Sequence, residues 1–340
     1  MLQPRRATVL KADPADGAEQ QMEVRPGDPA GAAPADAGGQ PVEEQEGWQL
    51  TLPFGGVVAV LALHGQLPAL AWAFAQAAPG ARLGYVQTAG GALAGGRSQE
   101  VRALRAQGLL AGHITAGSTF GGEGEALTTA GALYHGLRAL GWDAAVCGPG
   151  PGAAAHGSQL GHGGLAALDS AHTALALGCP TLLVPRMSSG GSHARQRGIS
   201  RDTLTVLDLL LVPVTVALPA GLRSPVGADL RAGLGAVFGA TRSAPAQLEL
   251  DVARPARVAR HDWRRAPVDL PGFAAGGLPA HAAGPAPTED PLFVGTALAA
   301  GAALAELAAE CRGRRPAERH EPHELHELHE HHQDSEGALA

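Results

Sequence analysis

The feature that most constrains this chain is a repeated alternation between short apolar runs and longer amphipathic stretches. The apolar runs predict buried strands over 56–63, 82–88, 112–119, 143–148, 181–185 and 212–219. The stretches between and after them predict helices over 68–78, 96–110, 124–140, 164–178, 199–211 and, further on, 290–311. Strands and helices that alternate at this spacing require right-handed crossovers. The pattern therefore predicts a mostly parallel, Rossmann-like, doubly wound α/β sheet with helices on both faces.

Changes in composition divide the chain into four predicted parts. Residues 1–50 are poor in apolar side chains and predict a short β-rich segment, a ribbon followed by a flexible linker. Residues 51–219 are predicted to form the α/β core domain, and residues 220–311 a C-terminal α/β extension packed on it. Residues 312–340 form a tail rich in His and Glu that has too little apolar surface to fold alone, so we expect disorder there.

Charge and composition exclude several classes of function. The formal net charge is −7, aromatic residues make up only 4% of the chain, and Lys11 is the single lysine among 25 basic residues. Because nucleic-acid binding requires a basic face and stacking rings, we expect no nucleic-acid partner. A Schiff-base lysine or a P-loop lysine has no candidate in the body of the chain.

The cysteines and the apolar segments bear on the cellular compartment. Cys147, Cys179 and Cys311 are odd in number, far apart and form no CxxC pair, which favours a reducing compartment. The N-terminus has no apolar segment of signal-peptide length, and charged residues or proline interrupt the two longest apolar stretches. We therefore expect a cytoplasmic protein with no membrane partner. The sequence is also compatible with a homo-oligomer.

Polar and glycine-rich loops follow five consecutive predicted strands, whereas the connections at the opposite ends of these strands are short and plain. In an open parallel sheet, ligands bind beyond the carboxyl ends of the strands. The candidate site residues in these loops are His64, Thr88, Gly90, Gly91, Gly121, Gly122, Glu123, Glu125, Gly148, Gly150, His162, Arg195, Arg197 and Ser200.

Composition alone offers another interpretation of these loops. The chain has 48 glycines, so any single glycine-rich loop is more simply an ordinary turn. Five such loops on one edge favour a binding site instead. The motif GPGPG at 148–152 is not a dinucleotide fingerprint, because its prolines lack amide donors and it follows the fourth predicted strand.

The charged candidates have specific predicted roles. Arg195 and Arg197 precede a helix start near Ser200, where two guanidinium groups and the helix end could hold an anion; solvated surface arginines are the alternative. Glu123, Glu125 and His64 are the candidate catalytic acids or bases. Two acids in the first turn of a helix are also simply favourable for that helix.

A divalent metal is a possible cofactor, although no specific site is predicted. His156, His162, His172 and His193 lie within 40 residues of one another, yet no HxH, HxxxH or HExxH spacing occurs, so structural or solvated histidines are the simpler interpretation. The tail histidines recur every third residue from position 320 to 332. That spacing favours a solvated tail over a specific metal site.

Seven stretches in a fixed order carry a resemblance to a known family: LALHGQLPAL, YVQTAGGALAGG, ITAGSTFGGEGEALT, CGPGPG with GHGGL, RQRGISRDTLTVL, RHDW and TEDPLFVGTALAAG. In this order they resemble a widespread bacterial family, domain of unknown function thirty-eight sixty-six. The resemblance covers residues 1–5 and most of 56–310. It implies a strand-rich N-terminal segment ahead of an α/β body, and no established activity.

This chain departs from the family pattern in two loops. Where the family has G-P-G-x-x-G-T-G-T after the fourth strand, Ala and His replace the threonines. Where the family has D-P-R-E-R-H-R-G-[IV]-S-H-H after the fifth strand, this chain reads GSHARQRGISRD. The acid and three histidines are absent, while Arg195, Arg197, Gly198 and Ser200 remain. If the family acts through those histidines, this member is altered or inactive.

Three hypotheses follow. The preferred one is an α/β protein that binds a small anionic, phosphate- or nucleotide-like molecule at the carboxyl edge of its sheet, with acid–base or metal-assisted hydrolase or transferase chemistry. The second is a non-enzymatic sensor or scaffold that keeps the pocket. The third is metal handling by the tail.

Overall fold

A computed structural model describes residues 52–152, 158, 160–189, 198–220, 222, 255–278 and 289–314. The predicted β-ribbon and linker over 1–50 and most of the His- and Glu-rich tail lie outside these described residues. The division into four parts therefore stays a prediction.

Eight strands form one parallel sheet, and two more form a small antiparallel ribbon. The strands are β1 (Val57–Leu61), β2 (Leu83–Thr88), β3 (Gly112–Ala116), β4 (Gly124–Ala126), β5 (Ala144–Pro149), β6 (Thr181–Val184), β7 (Met187–Ser188), β8 (Gly198–Ile199), β9 (Thr215–Pro219) and β10 (Asp262–Ala266). The order across the sheet is β10-β9-β6-β1-β5-β2-β3-β4, while β7 pairs with β8. The first strand of the chain, β1, therefore lies near the centre of the sheet, between β5 and β6.

Helices cover both faces of the sheet. They are α1 (Leu67–Ala77), α2 (Gln99–Ala106), α3 (Thr129–Tyr134), α4 (Ala166–Ala176), α5 (Arg201–Leu209), α6 (Pro255–Ala259), α7 (Leu270–Ala275) and α8 (Pro291–Arg314). Side chains of β1 alternate between two cores: Val57, Ala59 and Leu61 pack with α1, α2, α7 and α8, whereas Val58 and Val60 pack with α3 to α6. A strand buried on both faces reads as a continuous apolar run, as β1 does.

The predicted fold class is confirmed: this is a mostly parallel α/β sheet with helices on both faces. The closer likeness to the Rossmann arrangement stays a prediction. One predicted boundary is wrong. The helix expected over 124–140 begins only at Thr129, because Thr128 caps it by accepting a hydrogen bond from the Gly131 amide, and Gly124–Ala126 instead pairs with β3.

The last described helix, α8, packs against α1 and the middle of the sheet. Gly301 permits close approach, because a Cβ there would overlap the Leu70 carbonyl oxygen of α1. Residues 291–313 are long and apolar enough to cross a membrane, but 83% of the 18-residue apolar window within them is buried inside the protein. Burial of this kind is typical of a core helix. The cytoplasmic location stays a prediction.

A tryptophan fills the space left by three glycines near the amino ends of β2 and β3. Trp142 is 1% exposed, and its indole lies where a Cβ on Gly84, Gly112 or Gly136 would be. The small residues and the large ring are therefore complementary, as packing in an interior requires.

Candidate functional site

Loops after neighbouring strands leave the centre of the sheet toward opposite faces. The connection from β1 leads to α1 on one face, whereas those from β5 and β6 lead to α4 and α5 on the other. Loops that diverge in this way leave a crevice at the carboxyl ends of the strands, which is where ligands bind in open α/β sheets. The centre of any site is therefore expected above β6, β1 and β5.

Several predicted glycines converge at this edge, and contact between backbones explains them. A Cβ on Gly90 would overlap the carbonyl oxygen of Gly163, and a Cβ on Gly91 would overlap that of Gly150. The amides of Ala92 and Leu93 both donate to Pro151 O, at 3.0 and 3.2 Å. These glycines join the loops after β2 and β5 and require no ligand to account for them.

Gly148 and Thr88 lie at the ends of β5 and β2. A Cβ on Gly148 would come 2.8 Å from Leu61 Cβ, so this glycine permits close packing on β1. The Thr88 side chain is nearly buried and bonds only weakly to its neighbour, at 3.4 Å from Oγ1 to Ala89 O. Both positions are buried at the carboxyl ends of their strands.

His64, a predicted catalytic residue, is 3% exposed and lies inside a polar cluster. Its Nε2 is 2.8 Å from Ser98 Oγ and 3.6 Å from Glu100 Oε2, and Ser98 Oγ donates to the same carboxylate oxygen at 3.1 Å. Its Nδ1 is 3.2 Å from both the Tyr85 hydroxyl and Pro149 O. The contact with His64 is the largest cause that holds the pKa of Glu100 below its usual value, against the effect of burial.

The cluster continues through β2 into β3. The Tyr85 hydroxyl donates to Pro149 O at 2.9 Å, and its ring stacks on His113 with 5.2 Å between centroids. Gln87 Nε2 donates to Leu93 O, so Gln87 Oε1 accepts from His113 Nε2 at 3.2 Å. This chain of bonds holds the loops after β2 and β5.

The burial of His113 makes stability depend on pH. Burial lowers the pKa of His113 from 6.5 to about 4. Between these values the unfolded chain binds more protons than the folded one. The free energy of unfolding is therefore not reduced by His113 above pH 6.5, and it falls as the pH drops toward 4. The gap between the pKa values corresponds to about 3 kcal/mol. Burial lowers the pKa of His261 in the same direction.

The variant His113→Gln should therefore show a flatter fall in unfolding free energy between pH 6.5 and 4 than the unaltered chain, measured by urea unfolding at fixed pH values. His261, His135 and Glu100, whose pKa values are also lowered, give the residual slope. Identical slopes in both proteins would contradict this assignment.

The predicted acidic pair lies toward the far edge of the sheet, at β3 and β4. Glu123 is exposed, bonds to Arg105 Nε at 2.6 Å and accepts from the His113 amide at 3.2 Å, which places it near the amino end of β3. Glu125 accepts from the Gly121 amide at 2.8 Å. A Cβ on Gly122 would come 2.8 Å from Thr115 N, so this loop packs tightly on β3. The structure does not bring this pair together with His162.

His162 lies at the centre of the predicted edge, directly before the turn Gly163–Leu165 that leads into α4. Its side chain is 5% exposed, and both ring nitrogens are buried without a hydrogen-bond partner in the described part of the chain. Nε2 is 3.9 Å from Asp202 Oδ1 in the first turn of α5. A buried polar group without a partner is costly, so this side chain requires an explanation.

The loop after β6 is anchored at both of its described ends. Ser200, fully buried, caps α5 by accepting from the Thr203 amide at 3.2 Å. Asp290 accepts from Ser188 Oγ at 2.5 Å and from the Ser189 amide at 2.9 Å, and thereby ties β7 to the start of α8. The predicted anion-binding residues Arg195 and Arg197 lie between these anchors, outside the described residues.

Within the described ranges, no group of three or more His, Cys, Asp or Glu side chains could hold a metal ion. The tail histidines lie outside these ranges, so the metal hypothesis stays untested.

Sequence reasoning missed the polar residues that lie inside regular elements. Tyr85 and His113 interrupt apolar strands, and Glu100 follows a helix-capping serine. Asp290 directly precedes Pro291, a typical helix start. These signals lie within strands and at helix starts and not in the glycine-rich loops.

The model of one protein family, described as protein of unknown function (DUF3866), matches residues 42–301. No curated protein and no solved structure matches the chain.

Proposed function

The chain belongs to this family of proteins of unknown function, and we propose that it binds a small, phosphate-bearing anion at the carboxyl edge of its sheet, above β6, β1 and β5. The observation that carries the proposal is His162. Its imidazole is 5% exposed, has no hydrogen-bond partner on either nitrogen among the described residues, and lies where loops diverge. An anion that accepts a hydrogen bond from this ring would satisfy it.

Two helix ends support an anion at this place. The turn Gly163–Leu165 before α4 lies against α5, so the amino ends of both helices adjoin His162. The amino end of a helix carries partial positive charge and free amides, which favour phosphate. Arg195 and Arg197 precede α5 in the sequence and are expected to add the charge for bidentate binding.

The test is a thermal-shift screen of inorganic phosphate, nucleotides, sugar phosphates and divalent ions on the full chain. A phosphate compound at 100 times its Kd should raise the Tm by about 5 °C, because binding to the folded state adds about 2.7 kcal/mol. Arg195→Ala and His162→Ala should reduce this shift. The matched control is His172→Ala, since His172 bonds to the Leu211 amide, away from the crevice.

Two results would oppose the proposal: no phosphate compound raises the Tm of the unaltered chain, or the rise persists in both site variants.

Binding without catalysis, as in a sensor or scaffold, is the second candidate. It is favoured by the state of two predicted catalytic residues. His64 has both ring nitrogens engaged in a buried cluster, and Glu123 is paired with Arg105. Neither is free to exchange a proton with a ligand in the crevice, so catalysis would require another group.

A further inference from the structure

The buried histidines of this protein differ in how their ring nitrogens are used. His64 and His113 bond within the polar cluster, and His261 accepts from the Val214 amide through Nδ1 while Nε2 faces Leu207 O at 2.9 Å. These rings hold the fold together. His162, equally buried in its side chain, makes no such bond in the described part of the chain. His135 also has a buried Nδ1 without a partner, but among the described histidines His162 has both ring nitrogens in this state, so it is the one we assign to another task.

The two nitrogens of His162 face different surroundings. Nε2 points to the carboxylate of Asp202, which is 29% exposed, with 3.9 Å between Nε2 and Oδ1. Nδ1 lies beside Gly164, where a Cβ would come within 3.3 Å of it. A carboxylate on one nitrogen of an imidazole orients the ring and stabilises its charged form, and it leaves the other nitrogen for proton transfer. Such contacts are often long until a ligand binds.

We propose that His162, oriented by Asp202, is the general base of the anion site, and that the ligand is a phosphate monoester which the protein hydrolyses. This rests on the proposed function. A water oxygen attacks phosphorus and gives its proton to Nδ1 of His162. The bond between phosphorus and the ester oxygen breaks, that oxygen takes a proton from solvent water on the opposite side of phosphorus, and the proton on His162 returns to solvent. The products are an alcohol and inorganic phosphate, so atoms and charge balance without a further reactant.

The absence of a side chain on Gly164 permits close packing beside the His162 ring. Gly164 is buried, and a methyl group there would press on Ala62 O, at 3.1 Å, and on Nδ1 of His162. Glycine therefore permits the turn Gly163–Leu165 to pack closely against Ala62 and the His162 ring.

The experiment measures release of p-nitrophenol from p-nitrophenyl phosphate by the full chain, together with the thermal shift caused by inorganic phosphate. His162→Gln keeps a hydrogen-bonding side chain but cannot transfer the proton, so it should lower kcat at least about a hundredfold and keep most of the phosphate shift. Asp202→Asn should lower kcat less and change its pH profile. His172→Gln is the matched control and should leave kcat unchanged.

Each outcome decides. A phosphate shift with no p-nitrophenol release, or with release that His162→Gln leaves intact, would overturn the catalytic role while the binding site stands. If the unaltered chain shows neither a thermal shift with phosphate nor release of p-nitrophenol, the proposed function is overturned as well. A His162→Gln protein that also melts lower would still support the role if Asp202→Asn, with an unaltered Tm, shows the changed pH profile.

Discussion

Glu100→Ala should lower the free energy of unfolding by about 3 kcal/mol, one of the two largest effects we expect in this protein. The Glu100 side chain is 4% exposed and lies 3.6 Å from His64 Nε2, with Ser98 donating to the same oxygen. Removing one member of a buried, hydrogen-bonded pair leaves the other without compensation. Urea unfolding should show a lower midpoint with an unchanged slope.

Glu123→Ala is the matched control. Its carboxylate also pairs with a cation, Arg105, but the Glu123 side chain is 51% exposed. Exposed ion pairs contribute at most about 1 kcal/mol. Equal losses for the two variants would show that the cluster around His64 does not stabilise the fold.

Gly84→Ala should destabilise the protein by about 3 kcal/mol or more. A Cβ at this position would overlap the Trp142 ring, which is fully enclosed and also adjoins Gly112 and Gly136. The ring can move only by displacing other packed atoms, and overpacking of this kind is costly. Thermal unfolding would measure the loss as a lower Tm.

Gly131→Ala is the control, because Gly131 lies in α3, a helix on the same face of the sheet as Trp142. A Cβ there meets only ordinary neighbours, with Thr128 Oγ1 at 3.4 Å. Alanine is favoured over glycine in a helix by up to about 1 kcal/mol. This variant should therefore be as stable as the unaltered chain or more stable. A larger loss here than at Gly84 would contradict the role of Trp142 as the filler of the glycine space.

The sheet was predictable because each central strand is buried on both faces and reads as an unbroken apolar run, as in Val57–Leu61. The small strands were not. Gly124–Ala126 has glycine and glutamate in three residues, and only its contact with β3 makes it a strand. Asp262–Ala266 carries two arginines and an aspartate, so its pattern resembles a surface loop. Its pairing with β9 overrides local preference.

The convergence of the loops at one edge of the sheet was predictable, whereas the contacts that individual side chains make there were not. That loops after β1, β2, β5 and β6 meet at one edge follows from parallel topology. Which histidine is engaged and which is free depends on contacts between distant residues, such as His64 with Ser98 and His162 with Asp202. No local pattern in the chain encodes these distances.

The position of α8 bears on how the chain folds as it is made. This helix begins at Pro291 and covers α1 and β1, which are encoded more than 200 residues earlier. A nascent chain emerging from the ribosome therefore exposes the apolar surface of Leu67–Ala77 and β1 until the residues of α8 are synthesised. Exposed apolar surface of this kind promotes aggregation. Translation that stops before Pro291 would leave an aggregation-prone intermediate that chaperones bind and proteases degrade.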